Sequence, residues 1–198
     1  MTVTDLIAIA LPANAFAARV QQVWAEGNAV LPVDLRLPGR VQRTLIAEMA
    51  PSHLITREGS AVCENARPVD GDVALVMPTS GSTGSPKGVV HTHTGLEAAA
   101  RASNLALRTT EDDTWLSCLP LAHIGGFSVL TRAWQAKSGL EILDRFTAEN
   151  VTASKATMVS LVPAMLARVD ASQFRTVLLG GAAPPENPAE NCVVTYGL

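Results

Sequence analysis

The sequence predicts an α/β fold, a mostly parallel sheet with flanking helices, and three observations carry that expectation. Short apolar runs of strand length alternate with helix-period segments along the chain. Strands separated by helix-length connections call for crossovers, which parallel pairing requires and a hairpin does not. At 47 % hydrophobic over 198 residues, the chain has apolar material to fill one medium-sized domain or two small ones, so wholesale disorder is excluded.

The opening run, residues 6–18, is apolar, but Asp5 precedes it where a signal peptide carries cations. Pro12 and Asn14 interrupt it well short of a membrane span. Phe16, Val20, Val23 and Trp24 fall at i, i+4, i+7 and i+8, one side of a helix, and Gly27 sits where that helix should stop. This stripe reads as core packing. A strand follows at 29–33, then Val41, Leu45 and Met49 repeat the helical period before Pro51, and 53–56 reads as another strand. Residues 64–71 are the best candidate boundary between a short leading α/β part, 1–71, and the remainder, 72–198. Residues 72–77 form a compact apolar run ending in Pro78, a buried strand that delivers a polar loop at its carboxyl end. Beyond the loop, Thr94 and Glu97 have capping-box spacing and open a helix to about Leu107. The alternation continues with strands at 115–119, 140–143, 157–162 and 176–179 and helical stretches at 126–137 and 163–168.

Composition removes several functions. Charged residues are 17 % and the net charge is −3, so no basic face stands ready for a nucleic-acid backbone. No period in the prolines and glycines supports a collagen-like or solenoid chain. Cys63, Cys118 and Cys192 are odd in number and far apart, with no CxxC, which fits free thiols in a reducing compartment and gives no zinc site. The expectation is a soluble, cytoplasmic protein without a membrane span.

Chemistry concentrates in Thr79-Ser80-Gly81-Ser82-Thr83-Gly84-Ser85-Pro86-Lys87-Gly88, three glycines, five hydroxyls and a lysine in ten residues. Glycines let main-chain N–H groups approach a ligand, hydroxyls donate hydrogen bonds and lysine adds a point charge, a combination suited to nucleotide phosphates. A mobile Gly/Ser surface loop is the bland alternative; Pro86, Lys87 and the buried strand before the loop weigh against it. The spacing is not that of a Walker loop, because Lys87 is followed by Gly88 and preceded by Pro86, which disfavours a P-loop NTPase or kinase. His91 and His93 lie two apart, but no third ligand is identifiable, so they read as structural and no metal site is expected.

Residues 79–88 resemble the signature of the adenylate-forming superfamily, the acyl-CoA and aryl-CoA synthetases, luciferases and peptide-synthetase adenylation domains. Other stretches agree in the family's order. Leu119-Pro120-Leu121-Ala122-His123-Ile124-Gly125-Gly126 resembles its acyl-pocket segment, Ser160-Leu161-Val162-Pro163 the strand-to-helix turn behind it, and Gly180-Gly181-Ala182-Ala183-Pro184 the turn that meets adenine. Tyr196-Gly197-Leu198 resembles the start of the Tyr-Gly-x-Thr-Glu motif. Within the superfamily, the short region before the loop and the wording of 159–185 are most similar to actinobacterial-type o-succinylbenzoate–CoA ligases of menaquinone synthesis.

The resemblance implies an ATP-dependent acid–thiol ligase in which a carboxylate attacks the α-phosphate of ATP, with Mg²⁺, and CoA then displaces AMP. It implies that Lys87 is catalytic and that Thr79, Ser80, Gly81, Ser82, Thr83, Gly84 and Lys87 hold the phosphates. Gly180, Gly181, Ala182, Ala183 and Tyr196 would meet adenine, and His123, Gly125 and Ser160 the acid. Against the family pattern, the sequence given stops after Leu198, before the motif's threonine and glutamate, the ribose-binding aspartate and the small carboxyl-terminal domain with its lysine. The expectation is therefore a partial amino-terminal domain that does not turn over by itself. A fragment that binds nucleotide without catalysis, or a ligase for another acyl or aryl acid, are the alternatives; oligomeric state stays open.

Overall fold

The computed structural model describes residues 3–80 and 86–195. In chain order the elements are β1 (Val3–Thr4), β2 (Leu6–Ile9), α1 (Ala13–Ala25), β3 (Ala29–Pro32), α2 (Gly39–Met49), β4 (His53–Thr56), β5 (Gly59–Val62), β6 (Val69–Asp70), β7 (Val73–Ser80), β8 (Pro86–Thr92) and α3 (His93–Leu107). They continue with β9 (Thr114–Ser117), α4 (Ile124–Ala136), β10 (Gly139–Ile142), α5 (Ala148–Ala153), β11 (Met158–Leu161), α6 (Pro163–Leu166), a 3₁₀ turn at Ala171–Gln173, β12 (Thr176–Leu179) and β13 (Cys192–Val194). The chain divides into two compact units, Met1–Leu96 and Glu97–Leu198.

In the first unit a six-stranded sheet runs β5-β4-β2-β3-β7-β8. Its centre is parallel, β4 through β7, and its edge strands β5 and β8 pair antiparallel to their neighbours. A separate antiparallel pair joins β1 to β6. The apolar stripe of α1 buries Phe16, Val20 and Val23, while Ile46 and Met49 of α2 pack on Leu6, Ala8 and Leu31. Alternate residues of each strand thus feed opposite faces, and a strand covered on both sides shows continuous apolar sequence. Gly27 stops α1 as its position suggests: at φ +78°, its N–H donates to the Trp24 carbonyl and that of Asn28 to the Val23 carbonyl, both at 3.0 Å, the double bond of a Schellman cap. Trp24 does more than fill the core, because its indole N–H donates to the Ala74 carbonyl at 2.8 Å and its ring meets His93 edge-on at 5.3 Å.

Two local expectations are corrected here. The strand expected at 72–77 runs on to Ser80 and returns as β8, so a second strand stands where the sequence suggests a loop leading into a helix. The helix then begins at His93, and its amino end is capped by Thr92, whose hydroxyl accepts from the Gly95 N–H at 3.0 Å, rather than by the Thr94/Glu97 box.

The second unit holds a five-stranded, wholly parallel sheet, β10-β9-β11-β12-β13. Trp115, Met158 and Leu178 face α4, packing with its Val129 and Ala133. Leu116, Val159, Leu161, Val177 and Leu179 face the other way, against Val151 of α5 and Phe174. At the amino ends of the strands one carboxylate ties three of them: Asp113, next to β9, receives Arg175 beside β12 at 2.6 and 2.9 Å and the Thr157 hydroxyl beside β11 at 2.8 Å. Among the described residues, no helix is long and apolar enough to cross a membrane.

Candidate functional site

The hydroxyl- and glycine-rich segment is carried by the β7–β8 hairpin of the first unit. Thr79 pairs with Lys87 and Ser80 with Pro86, and the Thr79 hydroxyl donates to the Lys87 carbonyl at 3.3 Å. Lys87 lies exposed on an edge strand. Its neighbour Gly88 is a packing glycine: a Cβ there would sit 2.5 Å from Val76 and 3.1 Å from the sulfur of Met49, so β8 passes directly over β7 and α2 only without a side chain at this position. Gly81, Ser82, Thr83 and Gly84 lie outside the described residues, as does Tyr196. His91 and His93 sit on β8 and at the start of α3; burial lowers the His91 pKa, which keeps that imidazole neutral.

In the second unit the other expected residues gather at the carboxyl ends of parallel strands, the edge at which open α/β sheets bind ligands. Ser160 is near the end of β11, and the Gly180 N–H, just past β12, donates to the carbonyl of Leu161 at 3.2 Å. Gly181 adopts φ +77°, and Val162 lies 3.3 Å from where its Cβ would be, so the turn after β12 doubles back against the turn after β11. Ala182 and Ala183 follow it, exposed. His123 is the amino-terminal cap of α4 with extended backbone, φ −126° and ψ 147°, and its side chain makes no cap hydrogen bond. Gly125 is exposed in the first turn, and Gly126 is buried. A Cβ on Gly126 would overlap the carbonyl of Pro120, which fixes how closely α4 turns back on the segment leaving β9.

Electrostatics separate supporting groups from reactive ones. Burial pushes the Cys118 thiol up to about 12, and the thiol only donates to the Ser160 carbonyl at 3.8 Å, so it is no nucleophile. Burial lowers the Arg132 pKa to about 10, still protonated at neutral pH, with its guanidinium 5.5 Å over the Trp115 ring. Burial alone would raise the Asp113 carboxyl, but Arg175, the Thr110 amide and the Thr157 hydroxyl outweigh it and hold the group at about 2. Among the described residues, no group of three or more His, Cys, Asp or Glu is placed to hold a metal ion.

One feature escapes sequence reading. Ser117, at the end of β9, is 1 % exposed and Ser160 is 5 % exposed, and neither hydroxyl has a hydrogen-bond partner among the described residues. A polar residue closing an apolar strand is the only sequence signal for it.

A family model for AMP-binding enzymes matches residues 15–198. The chain is 35 % identical over 146 residues to the 2-succinylbenzoate–CoA ligase of Geobacillus sp. (strain WCH70), covering 64 % of this chain and 30 % of that protein. It is 38 % identical over 144 residues to the ligase of the same name from Bacillus licheniformis, with the same shares covered. It thus spans about 30 % of the length of these curated relatives. Among solved structures, o-succinylbenzoate CoA synthetase from Bacillus subtilis in complex with ATP and magnesium ion superposes with a TM-score of 0.77 at 29 % identity, over 91 % of this chain and 45 % of that one. The same enzyme in complex with the acyl-adenylate intermediate OSB-AMP gives 0.77 at 27 % identity, over 91 % and 44 %.

Proposed function

The chain belongs to the AMP-binding enzyme family, and from that premise we propose that it supplies nucleotide- and acid-binding machinery of an ATP-dependent acid–CoA ligase acting on 2-succinylbenzoate. The observation that carries this reading is the coincidence of the family match over residues 15–198 with Lys87 displayed on the β7–β8 hairpin beside Thr79. The related Bacillus subtilis enzyme is described with ATP and magnesium and with an acyl-adenylate, the two states the chemistry needs.

In the proposed reaction a carboxylate oxygen attacks the α-phosphorus of ATP and the bond to the β-phosphate oxygen breaks, giving acyl-adenylate and pyrophosphate. The thiolate of CoA then attacks the acyl carbon and expels AMP. Both steps gain from positioning and from positive charge set against oxygens that become more negative. Lys87 and the main-chain donors of its hairpin would grip the β- and γ-phosphates. The Gly180–Ala183 turn would present main-chain groups to the adenine edge, and the α4 amino terminus with Ser160 would face the acid. The described residues suit phosphate through hydroxyls and a lysine rather than caging a metal with carboxylates. Magnesium bound with ATP would supply charge neutralisation at the phosphates, beside which Lys87 and the Thr79 hydroxyl would lie.

One charge pair at about 4 Å in an effective dielectric near 20 contributes about 4 kcal/mol before desolvation, so Lys87 accounts for at most about a thousandfold in rate. Placed in a full-length ligase of this family, the Lys87→Met variant is expected to slow pyrophosphate release from ATP and 2-succinylbenzoate within that ceiling. An unchanged rate removes Lys87 from the machinery, and ATP binding with no pyrophosphate release in the unsubstituted protein makes the chain a binder.

A further inference from the structure

Ser117 and Ser160, two of the buried hydroxyls without a partner among the described residues, sit at the carboxyl ends of neighbouring strands. β11 pairs with β9 so that Met158 opposes Trp115 and Val159 opposes Leu116, and Ser160 and Ser117 are the residues that directly follow this last paired rung. Residues on one rung of adjacent parallel strands point to the same face. Trp115 and Met158, two residues earlier on each strand, pack with Val129 and Ala133 of α4, so Ser117 and Ser160 face α4 too, at the strand ends from which the chain leaves to begin that helix. The thirteen-residue α4 presents its amino terminus there, with no acidic residue in the first turn. A helix start of this kind attracts oxygen atoms with excess electron density.

A buried hydroxyl without a partner is a standing cost to the fold, and here two face α4 from the ends of neighbouring strands. Resting on the reading of the chain as a carboxylate-activating enzyme, we infer that Ser117 is a specificity-determining residue. With Ser160 it forms a two-hydroxyl clamp for a neutral carbonyl oxygen in the acyl part of the acid, remote from the carboxylate that is activated. Neutral hydroxyl donors match a ketone, which brings no charge to bury, and the Arg132 guanidinium on the same face is already engaged over the Trp115 ring and by the Ser103 hydroxyl. 2-Succinylbenzoate carries such a ketone between its ring and its chain. Both hydroxyls are almost fully buried, and a carbonyl oxygen reaching them from the first turn of α4 gives each its missing acceptor.

The test is a cycle of Ser117→Ala against removal of the ketone. Binding of 2-succinylbenzoate and of its methylene analogue, 4-(2-carboxyphenyl)butanoate, is measured by calorimetry in the presence of ATP. The unsubstituted protein is expected to prefer the keto acid by about tenfold, and Ser117→Ala to abolish most of that preference while leaving the methylene analogue unaffected. Because the substitution removes an unpartnered buried group, thermal stability should hold or rise by about 2–4 °C. Equal loss for both acids, a preference that survives the substitution, or a marked fall in melting temperature overturns the clamp while leaving the ligase reading intact. Failure of the unsubstituted protein to bind either acid overturns both.

Discussion

Gly126 illustrates how a single absent methyl group sets the geometry of the amino-terminal end of α4. The Pro120 carbonyl occupies the space a Cβ would take, whereas at neighbouring Gly125 a Cβ would find only Leu119 Cδ1 at 3.8 Å, ordinary van der Waals contact. The same chemical change should therefore have opposite signs one residue apart. Gly126→Ala is expected to destabilise the protein by about 1–3 kcal/mol, because backbone must move to admit the methyl group. Gly125→Ala should be neutral or stabilise by up to about 1 kcal/mol, since alanine is the better helix former. Urea midpoints for both variants at one pH measure this; equal values for the two would show that α4 does not pack as tightly on the Pro120 turn as described.

At the scale of elements, the sequence was most legible where one physical signal dominated. The 3.6-residue stripe of α1 and its stop at Gly27, and the all-buried β12 at 176–179, stand where expected. β8 did not announce itself, because Pro86 and Gly88 read as loop punctuation and its valines, Val89 and Val90, are 45 % and 55 % exposed on an edge strand held by pairing rather than burial. β5, exposed along its whole length, was silent for the same reason. The motif residues were legible as chemistry before they had positions; the Ser117–Ser160 juxtaposition was not, because it depends on the register of β9 against β11, separated by more than forty residues of chain. The Asp113 tie is another product of strand order, and it has a pH signature. With its pKa held at about 2 against 3.8 unperturbed, Asp113 contributes about 2 kcal/mol of stability that is complete above pH 4 and drains away as pH falls from 4 through 2. Unfolding free energies of the parent and Asp113→Asn proteins should thus converge over that interval. Profiles that stay parallel from pH 5 to pH 2 would deny the carboxylate this role.

Across the whole molecule, the three thiols report on the two units separately. Cys63 belongs to the first unit and is half-buried; in the second, Cys192 is half-buried on the edge strand β13, while Cys118 is 4 % exposed within the core cluster of Leu116, Val159 and Leu179. Reaction with an aromatic disulfide reagent needs both access and thiolate, and burial raises all three thiol pKa values, that of Cys118 the furthest. Two thiols should therefore titrate slowly in native buffer near pH 8, and the third only as the parallel sheet of the second unit opens. Its rate should follow the urea unfolding of that unit, through the equilibrium population of the open form. A Ser117→Ala protein that removes an orphan hydroxyl from the same sheet should label at Cys118 no faster than the parent, coupling the proposed substrate clamp to the stability of the element that carries it. Labelling of Cys118 at the native rate of Cys63, or faster in the Ser117→Ala protein, would contradict the sealed sheet on which the clamp depends.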